Sequence, residues 1–174
     1  MTKRNGDWIQ TFTGRQFWPM DPRAEEISID DIAHSLALQC RFTGHTRDFF
    51  SVAQHSLLCS YNCPEFALTA LLHDAAEAYL VDVARPVKPY LKGYREAEDL
   101  IMKAIAARFR IRWPLPDEVI EADRRSLATE KRDLLGPEPA DWGPMLEPWP
   151  EPILPLAWYQ AKAAFLRRFE ELNG

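Results

Sequence analysis

Six side chains suited to metal or proton chemistry stand among apolar neighbours: His55, His73, Asp74, Glu77, Asp82 and Asp123. In "LLHDAAEAYLVDVARPVK", residues 71 to 88, His73 and Glu77 are four apart and share one helical face, with Asp74 about a quarter turn round towards the same side. Leu71, Leu72, Ala75, Ala76 and Ala78 leave this helix little polar surface, so its acids should be half-buried, and buried charges are paired or bound to metal. An isolated acid is more often solvated and an isolated histidine more often a satisfied core group, so partners elsewhere matter. His55 has Val52 three before it and Cys59 four after it, an inward face. Asp123 follows Ile120 by three and precedes Leu127 by four in "EVIEADRRSLATEKRDLL", a core-facing position. Three helices thus aim His55, His73, Asp74 and Asp123 inwards. This nitrogen and oxygen set suits one divalent transition metal (Co, Mn, Zn, Fe or Ni) rather than calcium, which takes more oxygens.

The elements that must carry these groups are helical. From Ser28 the apolar residues Ile32, Ala33, Leu36 and Ala37 recur on one face, and "SIDD" offers caps. "SVAQ" has capping-box spacing, with Ser51 receiving a backbone donor and Gln54 reaching back, so a helix should run from there to about Asn62 with His55 in its first turn. Pro64 suits the start of the next helix, which carries His73, Asp74 and Glu77 to about Tyr79 and ends before Pro86. Amphipathic helices are predicted over residues 95 to 109 and 117 to 135. A last helix, "LAWYQAKAAFLRRFEEL", sets Leu156, Tyr159, Ala163 and Leu166 along one stripe. Residues 1 to 26 read as an irregular or hairpin arm, with short strands around Trp8 to Thr13 and Gln16 to Trp18. Residues 136 to 155 hold half of the chain's 14 prolines and predict a wrapping loop or lid. The predicted class is all-α, a helical bundle with an N-terminal arm and a proline-rich loop before the last helix. Residues 1–174 are expected to form a single domain.

Composition narrows the function classes. A hydrophobic content of 47% with 27% charged residues is that of a soluble globular protein without a membrane span. At a formal charge of -5 the chain repels a nucleic-acid duplex on average, while a local basic pocket can still hold a small phosphorylated ligand. Cys40, Cys59 and Cys63 form neither a paired framework nor a CxxC, and the start lacks the apolar core of a secretion signal. These features predict a reduced, cytoplasmic protein whose cysteines act as small hydrophobes.

The order H…HD…D resembles the HD-domain metal-dependent phosphohydrolases. "SVAQHS" and "LLHDAAEAYLVD" are the specific parts, and the resemblance runs from about Ile27 to Leu135. "HDAAEAYLVDVARPVK" looks like the bacterial 5′-deoxynucleotidases, and phage dATP triphosphohydrolases are similar over the same span. The resemblance implies an enzyme hydrolysing phosphate esters of deoxynucleotides, with a metal on His55, His73, Asp74 and Asp123. It gives Glu77 the acid/base position and sets Asp82 beside the sugar and the attacking water. Arg41 and Phe42 match an Arg-aromatic pair that contacts phosphate and stacks on the base. Lys88 matches a phosphate-binding lysine, with Pro86 against the base's other face. Dimers are common in the family, although nothing in this sequence fixes the oligomer.

The chain departs from that pattern in three places. Gln54 stands where relatives often have Glu, and the arm with "GRQFWPMDPR" has no counterpart in the shorter deoxynucleotidases. Gly44 lies near the place where dATP-specific enzymes use a bulky side chain, so adenine specificity does not carry over. A metal with an open position would polarise phosphoryl oxygens, and Arg41, Lys88 and Arg85 would offset phosphate charge. Two alternatives remain: hydrolysis of guanosine tetraphosphate alarmones by the same core, and a non-catalytic nucleotide- or metal-binding protein, for which Glu77 and Asp82 would be superfluous. His34 reads as structural, and His45 as a loop group either touching phosphate or exposed. Trp142, Trp149 and Trp158 read chiefly as fasteners of the proline-rich segment.

Overall fold

The computed structural model describes residues 4–174. Residues 1–3 of the predicted arm lie outside that range. Among the described residues the fold is helical, with one two-stranded ribbon, β1 (Ile9–Gln10) and β2 (Gln16–Phe17), paired antiparallel. The α-helices are α1 (Ile29–Leu38), α2 (Val52–Tyr61), α3 (Ala67–Leu71), α4 (Glu77–Leu80), α5 (Tyr94–Phe109), α6 (Asp117–Leu134) and α7 (Trp158–Asn173). No described helix is long and apolar enough to cross a membrane.

Helix α2 is central, packing against α1, α3, α6 and α7. Val52, Ala53 and Leu57 join Ile32, Leu36, Leu71, Ile101, Ile105 and Phe165 in the main core. A smaller cluster gathers Cys59, Cys63, Ala70, Val119, Ala122 and Trp149 between α2, α3, α6 and the proline-rich loop. Ser51 caps α2, its side chain accepting the Gln54 amide at 3.1 Å, a contact of the kind that contributes about 1 kcal/mol. The predicted return contact from Gln54 is not made. Its side chain instead donates to Leu154 O at 2.8 Å and accepts the Leu156 amide at 2.8 Å, tying the end of the proline-rich loop to the start of α2. Trp149 fastens the same loop, its amide donating to Thr129 Oγ1 at 2.9 Å and its carbonyl accepting Arg132 at 2.6 Å.

The arm is anchored rather than loose. Phe17 is fully buried and stacks on Tyr79 with ring centroids 3.9 Å apart. Arg4 pairs with Asp21 and Glu26, and Asp31 of α1 accepts both the Thr13 amide and its hydroxyl. Ser28 occupies the N-cap position of α1 but makes no side-chain cap. His34 stacks on Phe12 with centroids 3.7 Å apart, in keeping with a structural role, and Trp158 meets that histidine edge-on.

Two predictions are corrected. The stripe of α7 is not Leu156, Tyr159, Ala163 and Leu166: Tyr159 and Ala163 are exposed, and Ala161, Phe165 and Phe169 face the core. Apolar residues lie on more than one side of this helix, and the face of Ala161, Phe165 and Phe169 packs on the core while Trp158 and Tyr159 stay exposed. The continuous motif helix to Tyr79 is also broken, into α3, tight turns over residues 72 to 76, and α4. The cause is His73, whose Nδ1 bonds Ala70 O at 2.7 Å, the carbonyl that an unbroken helix would give to the Asp74 amide. Ala75, Glu77, Ala78 and Tyr79 then donate to the carbonyl three residues back, tightening the chain.

Three segments carry positive φ at residues with bulky side chains: Phe42–Thr43, Val81 and Arg110, the last closing α5. Phe42 and Thr43 have φ of 52° and 54°, followed by Gly44 at 80°, so the turn over 42–44 costs least at its glycine. Val81 has φ 72° and ψ 151°. For a β-branched residue, positive φ of this kind costs of order 1–3 kcal/mol. The 42–44 turn and the Val81–Asp82 segment border the same cavity.

Candidate metal centre

Four side chains from α2, the 72–76 turns and α6 converge. His55 Nε2 lies 3.2 Å from His73 Nε2, 3.4 Å from Asp74 Oδ2 and 3.3 Å from Asp123 Oδ1. His73 Nε2 is 3.2 Å from Asp74 Oδ2 and 3.9 Å from Asp123 Oδ1. Ligand atoms each about 2.1 Å from a shared ion lie roughly 3.0–3.4 Å apart at octahedral or tetrahedral angles. Four of the five separations fall in that interval. The turns create this geometry by swinging His73 and Asp74 to one point, which a regular helix would have splayed about a quarter turn apart.

The outer nitrogens of both rings are already engaged. His73 Nδ1 meets the Ala70 carbonyl, so it must carry a proton, and His55 Nδ1 lies 2.6 Å from Glu130 Oε1 and 3.1 Å from Ser126 Oγ. With Nδ1 donating in each ring, the two Nε2 lone pairs face each other, and that arrangement calls for a proton or a metal ion between them. The carboxylate behind His55 is the arrangement that orients a ligating imidazole and raises its basicity. Glu130 also holds Arg41 at 3.1 Å and is fully buried, as is the His55 ring.

Electrostatics leads to the same need for positive charge. Five acids, Asp74, Glu77, Asp82, Asp123 and Glu130, stand with three cations, Arg41, Arg85 and Lys88. Burial disfavours charge on His73, but the Asp74 carboxylate outweighs it and lifts the imidazole to about 10. Burial and Arg41 likewise oppose charge on His55, yet the neighbouring acids raise it well above the ordinary histidine range. Burial works against ionised Asp74 and Asp123, and the two imidazoles pull both below the usual carboxylate range. Glu130 is lowered despite its burial, chiefly by Arg41. Glu77 goes the other way: burial, reinforced by Asp74 and Asp82, pushes it up to about 8. With both imidazoles neutral, as metal ligands must be, the acids outnumber the cations; a divalent cation would take the place of the two imidazole protons, and the donor set fits one.

Cys59 is a member that sequence reasoning set aside as a small hydrophobe. Its thiol is fully buried 3.8 Å from His55 Nε2, and donors from His55, Cys59, His73 and Asp123 all lie within 4.8 Å of one another, a group able to hold a metal ion. Glu130 and Ser126 were missed as well. They follow Asp123 by seven and three on α6, so spacing alone could have marked them as sharing its face. Asp123 was expected to face the core; its side chain is 45% exposed, because the centre opens on that side.

The opening is a cavity of about 630 Å³. Glu77, Asp82, Arg41, Phe42, Pro86 and Lys88, all singled out from the sequence, line it with Asp74 and Asp123. The two expected phosphate binders are not free cations. Arg41 sits between Glu130 and Asp74, 3.1 and 3.8 Å away, and Lys88 bridges Glu77 and Glu98 at 3.1 Å each. Glu77 Oε1 takes the Lys88 contact, while Oε2 is buried without a partner. Arg85 and His45 also reach the cavity wall, and Trp142 of the proline-rich loop closes its far side.

No family model matches the chain. It is 38% identical over 126 residues to the uncharacterized protein RCAP_rcc00048 of Rhodobacter capsulatus, 66% of this chain and 64% of that one. To the uncharacterized protein YfdR of Escherichia coli it is 40% identical over 171 residues, 95% of this chain and 96% of that one. With a likeness of that extent running almost end to end, the chain belongs to the YfdR family.

Proposed function

We propose that this protein is a metal-dependent phosphohydrolase of the HD-domain type acting on nucleotides, most simply on deoxynucleoside 5′-phosphates. The observation that carries the reading is the convergence of the buried His55 and His73 with Asp74 and Asp123, the two carboxylates lining a cavity that also holds Glu77 and Asp82. A divalent ion on those four side chains would polarise a phosphoryl oxygen and make water a stronger acid near neutral pH. Every other task falls to the chain itself. Glu77, with Oε1 on Lys88 and Oε2 unpartnered, is suited to hold and release a proton beside the reacting phosphate. Asp82, on the same wall, is suited to accept a hydrogen bond from a sugar hydroxyl or from water. Arg41, Lys88 and Arg85 offset phosphate charge, the first two while tethered to acids that fix their direction. The Phe42 ring and Pro86 offer apolar faces to a base, and a cavity of about 630 Å³ lies within the size range of small-molecule sites.

The test is to strip the protein of metal, restore cobalt or manganese, and resolve products from a panel of deoxynucleoside mono- and triphosphates. Orthophosphate from monophosphates alone identifies a 5′-nucleotidase, and intact triphosphate identifies a triphosphohydrolase. Metal uptake with no turnover of any nucleotide would sink the proposal and favour the alarmone or binding alternatives. Within it, Glu77→Ala is expected to keep the metal and lose rate. A fully active Glu77→Ala protein would remove that residue from the chemistry.

A further inference from the structure

Val81 has φ 72° and ψ 151°, a region that glycine occupies readily and a β-branched residue avoids. It stands one residue before Asp82 and four after Glu77, between the two acids of the cavity wall. Such a residue persists only where its surroundings over-determine it, and three contacts do so here. The Val81 amide donates to Glu77 O at 2.8 Å, and the Tyr94 hydroxyl donates to Val81 O at 2.8 Å. The next amide, that of Asp82, donates to Gln39 Oε1 at 2.9 Å. The other end of the same side chain turns to the other acid: Gln39 Nε2 donates to Glu77 O at 3.0 Å and to Ser35 Oγ at 3.0 Å. These partners settle which way the amide faces. Gln39 lies at the end of α1 and brings no charge to the site, so what it supplies there is position.

We propose that Gln39 is a positioning residue and that, with the strained Val81, it forms a clamp setting the spacing and direction of the Glu77 and Asp82 carboxylates. The inference rests on the hydrolytic reading for its consequence on rate. Helix α4 is only four residues long and has little stiffness of its own. Its first residue is Glu77, and the residue just past its C-terminal end is Val81. Without the amide of Gln39 across that end, Val81 is free to relax to negative φ, which re-aims Asp82 away from Glu77.

Two variants test the clamp. Gln39→Met keeps the length and removes both contacts; it is expected to lower kcat about tenfold or more, with KM and metal content within about twofold of the parent. Val81→Gly relieves the strain at a half-exposed side chain and is expected to raise Tm by about 2–4 °C. The two should couple, Gln39→Met costing less Tm when Val81→Gly is also present, because a glycine needs no clamp to hold that backbone. An unchanged kcat in Gln39→Met, a lower Tm in Val81→Gly or strictly additive Tm changes would each overturn the proposal. If the parent protein turns over no nucleotide, the hydrolytic reading fails alone, and the Tm cycle still decides whether the clamp exists.

Discussion

The two ends of this bundle follow opposite rules. Around α1, α5 and α7 the helices are regular, their buried faces are apolar apart from Asp31, which Thr13 satisfies, and Phe165, Ile101 and Ile105 are fully enclosed. Around α2, the 72–76 turns and α6 the interior holds histidines and carboxylates, the helix between α3 and α4 is broken, and two of the three segments with non-glycine positive φ border the cavity, the third being Arg110 at the end of α5. The first end stabilises by removing apolar surface from water; the second sets like charges together under strain. Sites of chemistry are where such costs are tolerated.

Removing a partner from each end sharpens the contrast. Glu130→Ala leaves Arg41 and the His55 ring without their buried partner and is expected to cost about 3–5 kcal/mol in urea unfolding. The milder Glu130→Gln, which keeps the shape, should instead weaken metal affinity by roughly 10–100-fold in a competition titration. Phe165→Ala at the apolar end should cost about 3–5 kcal/mol as well, with metal stoichiometry of the folded fraction unchanged. Equal loss of metal from Phe165→Ala would show that the two ends are not separable.

A pH series probes the polar end alone. His73 is raised from its ordinary value to about 10, so the stability it contributes is full below about 6.5 and is lost as pH rises through 10. Glu77 is raised to about 8, so the folded protein holds that proton more tightly than the unfolded chain, and stability falls between about 4.5 and 8. The Tm of metal-free protein should therefore decline from about pH 5 to pH 10, with Glu77→Gln flattening the lower part. Metal should reverse the decline at the upper end, because it displaces the His73 proton. A flat profile in metal-free protein would contradict the charge arrangement. The smallest effect expected is that of Ser51→Ala, about 1 kcal/mol from the lost cap of α2, read by chemical denaturation.

Periodicity made most of the fold legible. Helices α2, α5 and α6 lie within a residue or two of their predicted ends and α1 starts one residue after Ser28, the periodic apolar positions marking α1, α5 and α6 and the capping spacing at Ser51 marking α2. The convergence of His55, His73, Asp74 and Asp123 was legible from polar groups placed where apolar ones belong. The break at residues 72 to 76 was not, since it depends on a side chain of His73 taking a backbone carbonyl, which no spacing reveals. Glu130 left a faint signal in its heptad distance from Asp123, while Gln39 and Val81 left none. A valine announces extended or helical backbone, and only tertiary contacts hold it at positive φ.

The most direct test is the metal content of protein loaded with cobalt, manganese or zinc and freed of loose ion, measured for the parent, Asp74→Ala and Glu77→Ala. The account predicts one ion per chain in the parent and in Glu77→Ala, and essentially none in Asp74→Ala. A parent that takes up no ion, or an Asp74→Ala protein that keeps a full equivalent, would contradict it.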